Sequence, residues 1–177
     1  MVVFDTSVLL LFLDPQAKPP NDPATKETLL HAPKRIEYLI ETLSASKDTI
    51  IIPTPVLSEV LVYAGRATNK YLEILNNTSV FRIAPFDQKA AIEAAVAMKD
   101  AIDRGGHRID TKNPDTTRTK IKFDRQIVAI ARAENVHTVY SGDGDVLTYS
   151  SASGMNSIAM WELELPPEDP QGSFNME

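Results

Sequence analysis

Four carboxylates in the 177-residue sequence stand where chemistry could be done: Asp5, Glu59, Asp124 and Asp143. Asp5 ends the apolar run Val2-Val3-Phe4 and is followed by Thr6 and Ser7. Glu59 follows Thr54-Pro55-Val56-Leu57-Ser58, shortly after Ile50-Ile51-Ile52. Asp124 opens the stretch Asp124-Arg125-Gln126-Ile127-Val128-Ala129-Ile130-Ala131, behind a basic segment. Asp143 lies in Ser141-Gly142-Asp143-Gly144-Asp145, directly after His137-Thr138-Val139-Tyr140. Four carboxylates gathered at one point would repel and resist ionisation unless a cation neutralised them. Hard oxygen donors without nitrogen or sulfur select Mg²⁺ or Mn²⁺ over zinc. Such a centre prepares water as a nucleophile and clamps phosphate oxygens during an in-line displacement.

Each acid also has an ordinary explanation. Asp5 before Thr6-Ser7 can cap a helix. Glu59 can be a solvated helix residue, although Leu57, Val60 and Leu61 around it are apolar. Asp124 can pair with Lys120 or Lys122 on its own helix. Asp143-Gly144-Asp145 can be a turn. Taken singly these are the better readings. They do not explain why all four acids recur, in order, at strand ends or in the first turns of nearby helices.

The elements that would position them follow from the apolar pattern. Strands are expected at Val2–Phe4, Thr49–Ile52, Val80–Ala84, His137–Tyr140 and Ser157–Met160. Helices are expected over about Lys34–Ala45, Val56–Tyr63, Asn69–Leu75, Asp87–Ile102 and Ile121–Ala133, with Thr54 capping the second of them and Pro55 in its first turn. Residues 14–25 hold four prolines and read as a loop, as does Arg104–Thr119. Strands alternating with helices, without hairpin turns, imply a parallel sheet covered by helices. Ligands bind such sheets at the carboxyl ends of the strands, which is where Asp5 and Asp143 fall.

Composition narrows the classes. A hydrophobic share of 43% over this length is enough for one buried core and argues against extended disorder. The absence of cysteine excludes disulfides, thiolate metal sites and thiol nucleophiles, and His31, His107 and His137 are too scattered for an all-histidine site. No apolar run approaches the roughly 20 residues that span a bilayer, and the acid at position 5 interrupts any signal-like start, so no membrane partner and a cytoplasmic location are expected. The net charge is −6, but its distribution is uneven. Residues 162–177 carry five acids and no base and read as an acidic, disordered tail beyond a domain of residues 1–161. Lys99–Arg125 has eight bases against five acids, so Arg118, Lys120, Lys122 and Arg125 are candidate contacts for a nucleic-acid backbone, or equally a solvated face.

The ordered acidic set resembles the PIN domain, the nuclease fold of many VapC-type toxins. Val3-Phe4-Asp5-Thr6-Ser7 matches that family's opening strand and Asp-Thr-Ser. Thr54-Pro55-Val56-Leu57-Ser58-Glu59 fits its Pro-x-x-Leu-x-Glu-like helix. The stretch from Asp124 to Ala131 fits its third acidic motif, and Ser141-Gly142-Asp143-Gly144-Asp145 its fourth. The likeness runs from residue 1 to about 160. The segment 104–119 is longer than a minimal domain needs, and Val146 stands where an aromatic is frequent. The resemblance implies a three-layer α/β/α fold around a parallel sheet of four to five strands. It also implies a metal-dependent endoribonuclease, with an antitoxin protein and a second copy of the chain in a homodimer as the expected partners. Asp5, Glu59, Asp124 and Asp143 would hold one or two Mg²⁺ or Mn²⁺ ions, with Asp145 an outer ligand or orienting residue. Thr6, Ser7 and Ser141 would supply supporting hydroxyls.

Two other functions fit parts of the pattern. A non-catalytic RNA-binding or assembly module would keep the fold without the chemistry. A phosphatase using Asp5 as nucleophile, as in haloacid-dehalogenase-like enzymes, would need a second Asp where Ser7 stands and a late lysine, absent after Arg132.

Overall fold

A computed structural model describes residues 1–103 and 118–167 of the chain. Five strands form one sheet: β1 (Val2–Phe4), β2 (Ile50–Pro53), β3 (Phe81–Ala84), β4 (Thr138–Ser141) and β5 (Asn156–Ala159). Their order is β3-β2-β1-β4-β5, and every pairing is parallel. The helices are α1 (Thr6–Leu13), α2 (Ala32–Ala45), α3 (Thr54–Ala64), α4 (Thr68–Asn77), α5 (Gln88–Asp103), α6 (Arg118–Ala133) and α7 (Gly144–Ala152). No described helix is long and apolar enough to cross a membrane.

The strands are short and nearly all apolar because both sheet faces are covered. Val3, Phe4, Ile50, Ile51, Ile52 and Val139 have no exposed surface. Right-handed crossovers send α1–α4 to one face, since the chain there steps outward from β1 to β3, and α5–α7 to the other as it steps back to β4 and β5. Packing within each layer follows that division, α1 lying against α2 and α3 and α6 against α5 and α7, while α3 and α6 also meet. The result is the expected three-layer α/β/α arrangement.

The helix α6 is tied to α5 by the Arg132–Glu93 ion pair at 2.7 Å and by Lys89 Nζ donating to the Ala133 carbonyl. After β5, Glu162 Oε2 accepts from the Ala159 amide at 2.7 Å, Leu163 is buried, and Arg35 donates to the Leu163 carbonyl.

Several boundaries differ from the sequence reading. Thr54 is not the cap of α3. Pro53 holds that place at φ −61° and ψ 140°, and Thr54 Oγ1 accepts from the Phe86 amide at 3.2 Å. The fourth strand is shifted by one residue, which brings Ser141 inside it. Helix α6 begins at Arg118 rather than Ile121, so Lys120 lies one turn before Asp124. The tail expected over 162–177 does not start at 162, because Glu162 ends a short 3₁₀ helix and Leu163 is buried. The loop reading over residues 104–117 and the tail reading over 168–177 lie outside the described residues, as does the side chain of Arg118.

Candidate active site

Strand β1 lies at the centre of the sheet, and the chain leaves β1 and its neighbour β4 toward opposite edges. This reversal opens a crevice beyond their carboxyl ends. Asp5 follows directly after β1 and Asp143 follows β4 with only Gly142 between, so both acids face that crevice. A cleft of about 740 Å³ lies there, lined among others by Asp5, Glu59, Lys120, Asp124 and Asp143.

Asp5 is the N-cap of α1, as the ordinary reading held, and its Oδ1 accepts the Thr6 amide at 2.6 Å. Its other oxygen, Oδ2, accepts from Ser141 Oγ at 2.6 Å and from Ser7 Oγ at 3.1 Å. The carboxylate is only 4% exposed. Burial pushes its pKa up, with the Asp143 charge adding to the shift, while the Ser141, Thr6 and Ser7 donors oppose it.

Ser141 Oγ also accepts the Asp143 amide at 2.8 Å, so one hydroxyl links the acids after both central strands. Ser7 Oγ accepts the Gly142 amide at 2.8 Å. That close approach favours glycine: a Cβ at position 142 would lie 3.2 Å from Ser7 Oγ and from the Met160 methyl, so both side chains would have to give way. The three candidate hydroxyls are completed by Thr6, whose Oγ1 donates to Glu59 Oε2 at 2.7 Å. Glu59 itself is exposed on α3, at the cleft wall.

Asp143 caps α7, and its Oδ1 accepts the Asp145 amide at 2.8 Å. Asp143-Gly144-Asp145 is thus a helix start rather than the turn its composition suggested, and this capping role coexists with the cluster. One oxygen each from Asp124, Asp143 and Asp145 lie within 4.8 Å of one another. Asp124 and Asp145 are each 5% exposed. Lys120 Nζ stands among them, at 3.0 Å from Asp124, 2.8 Å from Asp143 and 3.2 Å from Asp145. The Asp124 carboxyl is pushed up to about 6, first by burial and then by the Asp143 and Asp5 charges, against the pull of Lys120. Burial would lower the Lys120 pKa, but its bonds to Asp143 and Asp124 outweigh that and raise it.

The structure thus brings Asp124, Asp143 and Asp145 into one group, sets Asp5 beside it through Ser141, and places Glu59 on the same cleft. The candidate bases do not act alike. Lys120 is inside the acidic group. Lys122 is exposed on α6. Arg125 turns to the far side of α6, with Nη1 3.0 Å from Met98 Sδ and its guanidinium 5.9 Å from the centre of the Tyr149 ring. Sequence reasoning passed over Lys18 and Pro20, which the proline-rich loop brings to the cleft, and the wall of Val62, Tyr63 and Phe123. No signal short of the tertiary structure points to these.

No protein-family model matches the sequence, and no curated protein matches it. Solved structures do. A chain of VapBC2 from Rickettsia felis, bound to a DNA fragment from its promoter, superposes with a TM-score of 0.59 at 15% identity, covering 90% of this chain and 98% of that one. FitAB bound to the IR36 DNA fragment gives 0.58 at 19% identity, covering 93% and 98%. VapC20 of Mycobacterium tuberculosis, a toxin that cleaves the sarcin-ricin loop, gives 0.53 at 18% identity, covering 88% and 96%. The chain has the PIN-domain fold of VapC-type toxins.

Proposed function

We propose that the protein is a metal-dependent endoribonuclease that cuts RNA by phosphodiester hydrolysis. The observation that carries this reading is the meeting of Asp5, Glu59, Asp124 and Asp143, from four separated segments, around one cleft at the carboxyl ends of β1 and β4, with Asp145 beside Asp124 and Asp143. Buried carboxylates with raised pKa values are poor structural choices unless a cation joins them. The donor set is all carboxylate, which fits Mg²⁺ or Mn²⁺.

Asp5, Asp124 and Asp143 would hold the ion, with Glu59 and Asp145 at its margins. When bound, such an ion supplies the charge that activates water and offsets the phosphate. The protein's own groups do the positioning. Ser7, Ser141 and the Thr6 amide fix both oxygens of Asp5, and Thr6 holds Glu59 against the open side of the cleft. There Glu59 would take the proton of the water that attacks phosphorus, while the P–O bond to the leaving ribose oxygen breaks and that oxygen takes a proton from solvent. Lys18 lines the cleft mouth and would meet the RNA backbone. The Asp-nucleophile phosphatase lacks its partners here, since Ser7 stands where a second Asp would be needed and no lysine follows Arg132.

The structures resembling this chain include toxin–antitoxin complexes, which supports a role as the toxin of such a pair in the cytoplasm, with an antitoxin protein and a second copy of the chain as partners. A short gene overlapping the upstream end of this one would support that role. The enzymatic reading is tested by incubating purified protein with RNA and Mn²⁺. Internal cleavage that stops on chelation and is lost in Asp5→Asn supports it, whereas equal cleavage by Asp5→Asn refutes it.

A further inference from the structure

Lys120 stands at the middle of the acidic group, not on its rim. Its ammonium lies 2.8–3.2 Å from one oxygen each of Asp143, Asp124 and Asp145. An ammonium carries three N–H donors and no acceptor, so three carboxylate oxygens at this range take up its full donor capacity. Those oxygens are within 4.8 Å of one another, the spacing that would hold a metal ion, and the ammonium already occupies the space between them. Two of the three acids are buried, and stripping a buried carboxylate of its cation is costly. An ion entering at this point would have to break three charge-assisted contacts together.

A two-ion nuclease needs two divalent ions about 3.5–4 Å apart, and here one of those places is filled from within the chain. We propose that Lys120 is the second cation of this centre: it stays among Asp124, Asp143 and Asp145, and a single divalent ion is held on the Asp5 side by Asp5, Asp143 and the Asp124 oxygen that Lys120 does not engage. The inference rests on the metal-centre reading above and goes beyond it by fixing the number of ions and the occupant of the second place. It assigns Lys120 the task of countering negative charge on the substrate phosphate beside the ion, in place of a neutral role in helix pairing. A lysine is suited to this because it is a compact point charge.

Manganese binding to the whole chain, followed by electron paramagnetic resonance and by calorimetry, tests this without reference to cleavage. The native protein is expected to bind one Mn²⁺, and Lys120→Met two, the second in the space the ammonium vacates. Two ions in the native protein would overturn the proposal, as would one ion in both proteins. No ion in either would remove the metal centre itself and the proposal with it. Should Lys120→Met fail to fold, the native stoichiometry is joined by ¹⁵N NMR of the lysine ammonium groups with and without saturating Mg²⁺. A Lys120 ammonium that remains protected from exchange supports the assignment, and one released to solvent by Mg²⁺ refutes it.

Discussion

Replacing Asp124 with Asn should make the metal-free protein more stable while destroying its metal site. Asp124 is buried, and its carboxyl is pushed from 3.8 up to about 6 even with Lys120 beside it. Between those values the folded protein holds a proton that the unfolded chain has released. Stability therefore falls as pH rises through that window, and the penalty is complete above about pH 6 and absent well below pH 4. At about 1.4 kcal/mol per unit, the shift corresponds to about 3 kcal/mol at most near pH 7.5. Asn has nearly the shape of the protonated acid and carries no charge to bury. Urea unfolding in chelator at pH 7.5 should accordingly show Asp124→Asn gaining about 1–3 kcal/mol over the native chain. The gain should shrink toward zero near pH 4. With Mn²⁺ present at about 100 times its dissociation constant, the native protein recovers about 2.7 kcal/mol and the variant does not. The gap then closes or reverses. A variant that is less stable than the native protein in chelator at pH 7.5 would refute the reasoning, because it would mean that Lys120 and Asp124 stabilise the fold as an ordinary ion pair.

Other substitutions probe the parts that hold the acids in place. Gly142→Ala sets a methyl group 3.2 Å from Ser7 Oγ and from the Met160 methyl, and should cost about 1–3 kcal/mol in chemical denaturation. Ser141→Ala removes a donor to Asp5 and the acceptor of the Asp143 amide, and should cost about 1–3 kcal/mol while weakening Mn²⁺ binding in calorimetry. Lys18→Ala, at the cleft mouth, should weaken RNA binding and lower its salt slope by about one unit while leaving Mn²⁺ affinity unchanged.

How far the site was legible in the sequence depends on the range of the interaction. Asp5 and Asp143 could be read because an acid directly after an apolar run in a parallel sheet has only one edge to occupy. The ordinary role assigned to Asp5 was also correct, since it caps a helix while facing the cleft, whereas Asp143 caps α7 instead of forming the turn that was expected. Ser141 could be named as a supporting hydroxyl, but its double contact depends on β4 ending one residue later than the pattern suggests. Lys120 was legible as a partner for Asp124 four residues on. That the same ammonium also reaches Asp143 and Asp145 depends on α6 and α7 packing together, which no local spacing encodes. Arg125 shows the opposite limit. A count of bases has no direction, and this one packs toward Met98 and Tyr149. Thr54 failed as a cap for a similar reason: its hydroxyl has a distant partner, the Phe86 amide, and Pro53 already has the extended backbone that a helix start needs.

The central claim is that these carboxylates form a divalent-metal centre, and anomalous diffraction from crystals of the protein soaked in Mn²⁺ tests it most directly. The account predicts a strong manganese peak within coordinating distance of Asp5 and Asp143 in the cleft beyond β1 and β4. Crystals that show no peak there at saturating Mn²⁺, or a peak only elsewhere on the molecule, would contradict it.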